Sequence, residues 1–378
     1  MTAEPRNAPL VPSYGHRTLA ELGASILASV GGPGNNVLGL PEVRRACLLI
    51  VDGLGWELLR AHPAAAPFLS ELAMNAQPLA AGFPATTVTS LTSLGTGTPP
   101  GQHGVLGYQV AVPGEHWLLN GLRWDSRIEP EDWQPRPTIY ERAVAADIGA
   151  YYVAQRAFRT SGLTRASSRG ARYLPADSMG ALAGEATAVL EDADNAIVTV
   201  YHGDLDATGH VLGVGSYAWY YQLAHVDKLA EQIAGALPSD TALYVTADHG
   251  MVDVPPEDRI DVDEVTELWQ GVELLGGEGR ARHVYAQPGA AADVLATWHE
   301  ILGPRAWVVS REEAIKDGWF GPVDPAMTAR IGDVIAAPAG NWAIVATQSE
   351  PRESMLVGMH GSLAPADQLV PLLSLPVN

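Results

Sequence analysis

Three apolar segments, each typical of a buried strand, lead into an aspartate. The pairs are Ala46 to Val51 with Asp52, Ala196 to Tyr201 with Asp206, and Thr241 to Thr246 with Asp248. Because ligands of open α/β sheets bind outside the carboxyl ends of the strands, we expect these three carboxylates to converge on one crevice. Carboxylates held together raise one another's pKa, and bound cations would remove that conflict.

Histidines accompany these acids. His210 follows Asp206 by four residues, which places both side chains on the same face if the segment is helical. His249 directly follows Asp248, and His360 lies in a glycine-lined loop, Gly358 to Ser362. This mixture of nitrogen and oxygen ligands suits Zn²⁺ or Mn²⁺ and suits Ca²⁺ poorly.

A hydroxyl-rich stretch, Gly82 to Gly97, contains a candidate nucleophile. It opens with the turn Phe83-Pro84 and continues with threonines and serines that could begin a helix. A hydroxyl at a helix N-terminus lies beside free N–H groups, which also bind phosphate oxygens. Contact with a metal would lower the pKa of such a hydroxyl and make it a nucleophile at neutral pH.

The elements that position these residues alternate along the chain. Helical periodicity is found in Leu19 to Val30, Met179 to Leu190 and Tyr217 to Leu237. Helices that alternate with buried strands predict a doubly wound α/β sheet. We interpret residues 1–258 and 342–378 as the catalytic core, to which the chain returns through Trp342 to Thr347 before ending near Leu369 to Leu373.

Residues 259–341 have a different pattern, which we interpret as a small inserted α+β cap. Strand-like segments occur at Arg282 to Ala286, Ala306 to Ser310 and Asp333 to Ala337, with a helix near Ala290 to Leu302. Arg280 and Arg282 are expected at the surface of this cap. The acidic run Glu257 to Glu267 is expected to form a solvated helix face.

Composition excludes several functions. The chain has 378 residues and a formal net charge of -20, which disfavours nucleic acid polymers and anionic membranes as partners. Its one cysteine, Cys47, allows no intrachain disulfide and is expected in the core. The N-terminus does not resemble a signal peptide, and no run approaches the roughly 18 apolar residues of a membrane span. We therefore expect a cytoplasmic protein that acts on a small molecule, as a monomer or weak homo-oligomer.

The order of the motifs resembles a known family. The motifs are Asp52, Phe83 to Thr87, Gln102 to Val105, Asp206 with His210, Asp248 to Gly250, and His360-Gly361. In this order they are similar to the type I phosphodiesterase/nucleotide pyrophosphatase family of the alkaline phosphatase superfamily. The resemblance runs from about Cys47 to Pro371 and is weakest in the cap. It implies an alkaline-phosphatase-like fold, with a mostly parallel central sheet and helices on both faces.

The resemblance also implies a role for each site residue. It implies two divalent metal ions, Mn²⁺ or Zn²⁺, one held by Asp206, His210 and His360, and the other by Asp52, Asp248, His249 and the Thr87 oxygen. Thr87 stands three residues after Pro84, at the position of the family's nucleophile. Eukaryotic-type relatives carry asparagines where this chain has Ser90 and Tyr108, so we assign these two residues to substrate binding. The backbone N–H of Val88 and the Ser90 hydroxyl are the candidate oxyanion donors.

The function predicted from the sequence is a metal-dependent nucleotide phosphodiesterase with a covalent threonine intermediate. Two stretches, Val51 to Glu57 and Met359 to Leu363, resemble actinobacterial cyclic di-AMP phosphodiesterases, which suggests cyclic di-AMP as substrate and pApA or AMP as product. A phosphomonoesterase and a phosphonoacetate-type hydrolase are alternatives within the same superfamily. A non-catalytic metal- and nucleotide-binding protein is the alternative from another class.

Overall fold

The computed structural model describes residues 8–375. Its strands, in chain order, are β1 (Arg45–Val51), β2 (Leu79–Ala80), β3 (Gln109–Ala111), β4 (Leu118–Asn120), β5 (Gly149–Ala154), β6 (Arg172–Pro175), β7 (Ala196–His202), β8 (Thr241–Thr246), β9 (Val252–Asp253), β10 (Arg259–Asp261), β11 (Val272–Glu278), β12 (Ala281–Ala286), β13 (Ala306–Ser310), β14 (Val334–Pro338), β15 (Ala343–Val345), β16 (Gly358–Met359), β17 (Leu369–Val370) and β18 (Leu372–Ser374).

The α-helices of the same residues are α1 (Leu19–Ser29), α2 (Trp56–Ala61), α3 (Pro67–Ala73), α4 (Thr87–Thr96), α5 (Pro100–His103), α6 (Pro130–Trp133), α7 (Ile139–Val144), α8 (Gly162–Ser168), α9 (Met179–Asp192), α10 (Asp204–Leu212), α11 (Tyr217–Gly235), α12 (Ala291–Leu302), α13 (Arg311–Lys316) and α14 (Pro365–Gln368). Across residues 8–375, none of these helices has the length and apolarity needed to cross a bilayer.

The central sheet has six strands in the order β18-β8-β1-β7-β5-β6. All neighbours are parallel except β18, which runs antiparallel to β8 at one edge. Every residue of β1, β7 and β8 is buried, which explains why these strands are apolar on both faces. The doubly wound, mostly parallel sheet predicted from the sequence is confirmed.

Two separate groups of helices pack around this sheet. Helices α1, α4, α7 and α8 contact one another, while α9 and α11 pack together, with α3 against α11. Helix α1 begins with a capping box, in which Thr18 and Glu21 exchange side-chain and backbone hydrogen bonds. Cys47 lies fully buried in β1, as expected.

A second sheet, with the antiparallel order β11-β12-β14-β13, lies in the predicted insertion. It packs with α12 around a separate hydrophobic cluster that includes Trp298 and Val334. Strands β10 and β15 pair in parallel where the chain enters and leaves this region. The segment Trp342 to Thr347 therefore contributes strand β15 to the two-stranded sheet with β10. The later strand β18 joins the central sheet.

Several sequence expectations about the insertion were wrong. The acidic run does not form a helix face, since it contains a 3-10 turn, strand β10 and a second 3-10 turn. Arg280 and Arg282 are fully buried instead of lying at the surface. Each is paired with a carboxylate distant in sequence, Asp367 and Glu350 respectively, which compensates the cost of burying its charge.

Candidate active site

One group of candidate metal ligands surrounds the Nε2 atom of His249. This nitrogen lies 3.3 Å from Asp52 Oδ1 and 3.5 Å from Asp248 Oδ2. Asp52 directly follows β1, and Asp248 and His249 follow β8, the neighbouring strand. The backbone N–H groups of Gly53 and His249 donate to Asp248 Oδ1, which leaves the other oxygen directed at the group. All three ligand residues are buried.

A second group contains Asp206, His210 and His360. Asp206 and His210 lie one turn apart on α10, with 3.3 Å between Asp206 Oδ2 and His210 Nε2. His360 Nε2 lies 4.0 Å from Asp206 Oδ1. The rings of His249 and His360 stack with their centroids 3.6 Å apart, so the two groups adjoin. The structure thus brings the six residues together in the same two sets that the family resemblance implied.

The three histidines share one orientation. The Nδ1 atoms of His210, His249 and His360 lie 2.7, 2.9 and 2.9 Å from the carbonyl oxygens of Gly358, Gly250 and Ala85. Because a carbonyl only accepts a hydrogen bond, each Nδ1 must carry the proton. Each ring therefore directs Nε2 at carboxylate oxygens. A backbone carbonyl that fixes the ring through the other nitrogen is the usual second contact of a metal-bound histidine.

Buried carboxylate oxygens without partners supply an independent test for cations. Among the described residues, Asp52 Oδ1, Asp206 Oδ1 and Asp248 Oδ2 are buried and accept no hydrogen bond. An unsatisfied buried charge is costly unless a cation or a proton neutralises it. Each group combines such an oxygen with an imidazole Nε2 atom, so the residues fit a divalent cation of the Zn²⁺ or Mn²⁺ type.

The pKa values of these side chains in the folded protein without cations show that buried charges also compete here. Burial, together with the charge of Asp206, raises the pKa of Asp52 to about 8. Burial and the charge of Asp52 raise the pKa of Asp248 well above its usual value. Burial, followed by the nearby His249 and His210, holds the pKa of His360 far below its usual value. Without cations, protons would have to be shared among these groups.

The candidate nucleophile Thr87 begins helix α4 beside the first group. Its Oγ lies 3.2 Å from His249 Nε2. Thr86 is the N-cap residue, and within the helix the first backbone N–H to find a carbonyl is that of Ser90, which donates to Thr86. The first-turn N–H groups, including that of Val88, are therefore directed out of the helix beside the Thr87 hydroxyl.

The two residues assigned to substrate binding differ in position. Ser90 is fully buried, its Oγ has no hydrogen-bond partner among the described residues, and it does not line a cavity beside Thr87. Tyr108 lines the larger of the two cavities described below, where its hydroxyl donates to Glu353 over 3.3 Å. The geometry therefore favours Tyr108 over Ser90 as a residue that contacts substrate.

Two cavities meet at Thr87. The larger, about 300 Å³, contains Asp206, His210 and His360 in its wall and has a polar rim that includes Arg123 and Arg352. The smaller, about 170 Å³, is mainly apolar and aromatic, with Tyr152, Phe158 and Tyr201 in its wall. Thr87 and the exposed side chain of Leu122 line both cavities. A ligand centred on Thr87 can therefore extend in two directions.

Two residues of the site were not predicted from the sequence. Glu278, at the end of β11, accepts a hydrogen bond from Thr86 over 3.3 Å and lies 3.8 Å from His360 Nδ1. Burial raises the pKa of Glu278 to about 8. Tyr201 donates a short hydrogen bond to Asp52 Oδ2. The glycines on both sides of Glu278 were the one sequence signal that an acid stands at a turn here.

Comparison with known proteins is consistent with this geometry. Residues 46–363 match the family model described as type I phosphodiesterase / nucleotide pyrophosphatase. No curated protein matches the sequence.

Solved structures share the fold at low sequence identity. An inactive threonine-to-alanine variant of murine ectonucleotide pyrophosphatase / phosphodiesterase 5, in complex with AMP, has a TM-score of 0.69 at 18% identity, covering 87% of each chain. The human protein of the same name has a TM-score of 0.68 at 20% identity, also with 87% of each chain. Phosphonoacetate hydrolase from Sinorhizobium meliloti 1021, in complex with phosphonoacetate, has a TM-score of 0.67 at 18% identity, covering 88% of this chain and 90% of that chain. These similarities show an alkaline-phosphatase-like fold.

Proposed function

Because the chain belongs to the type I phosphodiesterase / nucleotide pyrophosphatase family, we propose that it hydrolyses a nucleotide phosphodiester through a covalent intermediate on Thr87. Membership makes it a hydrolase acting on phosphoric ester bonds. The finer proposal adds three points: the bond cleaved belongs to a phosphodiester, the substrate is a nucleotide, and the nucleophile is a side chain of the protein.

The observation that carries the diester proposal is the meeting of two cavities at Thr87. A diester has a substituent on each side of its phosphorus atom, and each substituent needs space. The apolar, aromatic cavity suits a nucleoside, because bases stack on aromatic side chains. The larger cavity accepts the second substituent. A phosphomonoester or phosphonoacetate would leave one of the two cavities without a ligand group.

The chemistry proposed for the site uses the geometry around Thr87. Divalent cations held by the two groups would, when bound, neutralise phosphate charge and lower the pKa of the Thr87 hydroxyl. Oγ of Thr87 attacks phosphorus, the Oγ–P bond forms, and the bond from phosphorus to the leaving oxygen breaks; the proton lost by Thr87 ends on the leaving oxygen, which departs as an alcohol. The first-turn N–H groups of α4, among them that of Val88, bind the non-bridging oxygens. Water then attacks phosphorus, the Oγ–P bond breaks, and a proton of that water returns to Oγ of Thr87.

Cyclic di-AMP is the substrate that we propose, with pApA or AMP as product. The support is the resemblance of Val51 to Glu57 and Met359 to Leu363 to cyclic di-AMP phosphodiesterases, together with a pair of cavities that accepts two nucleosides. The inactive threonine-to-alanine relative that binds AMP is consistent with a threonine nucleophile at a nucleotide site. A cytoplasmic location, as expected from the sequence, would fit a cyclic dinucleotide substrate.

The test compares bis(4-nitrophenyl) phosphate with 4-nitrophenyl phosphate, each assayed with Mn²⁺ and with Zn²⁺. We expect faster turnover of the diester, and a loss of about a thousandfold or more in Thr87→Ala, because the nucleophile is removed. Thr87→Ser, which keeps a hydroxyl, is the matched variant and should retain measurable turnover. Quenching the reaction with acid during steady-state turnover should leave nucleotide attached to Thr87, detectable by peptide mass.

Three outcomes would contradict the proposal. Faster turnover of the monoester would favour a phosphomonoesterase, and full activity in Thr87→Ala would exclude Thr87 as the nucleophile. A chain that binds cations and nucleotide without hydrolysing any ester would be the non-catalytic binding protein considered above.

A further inference from the structure

Two arginines on the rim of the larger cavity have no partner for their charge. Arg123 and Arg352 both line the cavity that contains Thr87, and both are exposed. Neither guanidinium forms an ion pair or hydrogen bond with any residue in 8–375, whereas those of Arg280, Arg282 and Arg259 do. In a chain with 23 basic and 43 acidic residues, two unpaired cations facing one cavity are available to a ligand.

The backbone that carries Arg123 is held in place. Arg123 follows strand β4, and the side-chain oxygen of Asn120 accepts hydrogen bonds from the N–H groups of Leu122 and Arg123 over 3.0 and 2.9 Å. The N–H of Gly121 donates to the carbonyl of Tyr108 over 2.9 Å. The turn is therefore fixed beside the cavity, while the Arg123 guanidinium remains uncommitted.

The loop that carries Arg352 is fixed as well. The guanidinium of Arg259 donates to the carbonyls of Ser354 and Leu356 over 2.6 and 2.8 Å. On the other side of Arg352, the carboxylate of Glu350 pairs with the buried Arg282 over 2.8 Å. Both arginine-bearing segments are thus positioned by hydrogen bonds, as a binding site requires.

The acidic side chains that line this cavity do not pair with these arginines. Glu353 also lines the cavity, but the structure pairs it with the Tyr108 hydroxyl and not with Arg123 or Arg352. Glu278 lies deeper, where it accepts from Thr86. An anion that enters over the rim would therefore meet the two guanidinium groups first, and arginine binds phosphate oxygens through paired N–H groups.

We propose that Arg123 and Arg352 form a subsite for a second phosphate of the substrate, separate from the phosphate that Thr87 attacks. The subsite rests on the proposed function and makes it more specific: the preferred diester carries an additional phosphate on the substituent that occupies the larger cavity. Cyclic and linear dinucleotides with a second phosphate share this chemistry. A dinucleoside monophosphate and a simple aryl diester lack it.

The experiment uses a pair of linear substrates that differ by one phosphate. Turnover of ApA, which has only the scissile phosphate, is compared with turnover of pApA, which has one more, in wild type, Arg123→Ala, Arg352→Ala and the double variant. Cyclic di-AMP and bis(4-nitrophenyl) phosphate complete the set. The matched control is Arg172→Ala, because Arg172 is exposed at the start of β6, at the end of the sheet opposite to the strand ends that carry the site.

We expect each single variant to raise KM for pApA or cyclic di-AMP by about tenfold, which corresponds to one charge-assisted phosphate contact. Turnover of ApA and of the aryl diester should stay within about twofold of wild type, as should every rate of Arg172→Ala. In the Thr87→Ala background, calorimetry should show the same loss of affinity for pApA and none for ApA. Comparing KM for cyclic di-AMP and pApA shows which of the two sources of the second phosphate fits better.

Two results would overturn the subsite. Equal losses on ApA and pApA would mean that the arginines support the fold or the scissile phosphate, and an unchanged KM for pApA in the double variant would mean that they bind no phosphate. If wild type cleaves diesters but the variants do not discriminate between ApA and pApA, only the subsite fails. If wild type cleaves no diester at all, the proposed function fails and the subsite fails with it.

Discussion

At the scale of single residues, the site depends on where protons and lone pairs are held. Three backbone carbonyls hold a proton on Nδ1 of three imidazoles, so that each Nε2 faces a carboxylate oxygen. The buried carboxylate oxygens without hydrogen-bond partners are unfavourable on their own and become favourable around a cation. The backbone therefore orients the candidate ligands, so a cation that binds there would require little rearrangement.

The first prediction concerns the number of ions that the two groups hold. Asp206→Asn removes the charged oxygen of one group and should lower bound Mn²⁺ or Zn²⁺ from about two ions per chain to about one. Activity should fall by at least about a hundredfold. Mutating a residue that only hydrogen-bonds to a metal-binding side chain already lowers metal affinity or activity about 10–100-fold. Metal content is measured by inductively coupled plasma mass spectrometry after gel filtration.

The matched control lies two residues away on the same helix. Asp204 is exposed, and among residues 8–375 its carboxylate accepts a hydrogen bond only from Gln155, so Asp204→Asn should keep both ions and most of the activity. If Asp206→Asn retained two ions per chain, the assignment of this group to a metal would be wrong.

At the scale of elements, the β11–β12 hairpin carries a residue of the insertion into the active site. Its turn places Glu278 next to Thr86 and His360. Two residues later, Arg280 forms a fully buried pair with Asp367 and donates to the carbonyls of Trp342 and Gly340. The hairpin is therefore anchored to the segment that follows His360, and the position of Glu278 depends on that anchor.

The second prediction tests this anchor by a double-mutant cycle. Arg280→Met should lower the free energy of unfolding by about 3–5 kcal/mol, because it leaves the Asp367 carboxylate buried without its cation. Asp367→Asn should cost a similar amount. The double variant should cost less than the sum of the two, since no uncompensated charge remains. Urea denaturation of the metal-free protein provides the measurement, and strictly additive costs would show that the two side chains are not coupled.

The sequence predicted the elements whose patterns are local. Asp52 and Asp248 could be placed because each follows a mostly apolar strand, and strand ends meet at one edge of a parallel sheet. Strands β5 and β6 were missed, since their mixed and partly exposed residues lack such a pattern. The burial of Arg280 could not be predicted, because its partner Asp367 lies 87 positions away and only the fold brings the two together. Glu278 was missed for the same reason.

At the scale of the whole molecule, the insertion and the core share contacts beyond this hairpin. We proposed residues 259–341 as an inserted cap, and the separate hydrophobic cluster around Trp298 supports that division. Arg330, within the insertion, nevertheless donates to the carbonyls of Gly104 and Trp133 in the core over 2.9 and 2.8 Å. Its side chain also lies against the ring of Trp133. We therefore propose that the insertion and the core unfold together, as one cooperative unit.

The buried histidine beside this contact makes the stability of the whole molecule depend on pH. The N–H of Val105 donates to Nδ1 of His103, so Nε2 carries the proton and donates to the Ser93 hydroxyl. Burial, and then the charge of Arg330, lower the pKa of His103 to about 3. Between pH 6.5 and about 3 the unfolded chain binds a proton at this residue that the folded chain does not, so folding stability falls as the pH falls.

The third prediction compares wild type with His103→Asn, both metal-free, by urea denaturation at pH 7.5 and pH 5. Wild type should be the more stable at pH 7.5, because the variant loses packing and a buried hydrogen bond. Its advantage should shrink by about 2 kcal/mol at pH 5, at about 1.4 kcal/mol per pH unit below the unfolded pKa near 6.5. The stability difference between wild type and His283→Asn should also shrink as the pH falls. It should do so over a narrower pH range, since burial lowers the pKa of His283 only to about 4. If the stability difference between wild type and His103→Asn were the same at both pH values, His103 would bind protons equally in the folded and unfolded chains. The buried contact between insertion and core would then not exclude the charged imidazole.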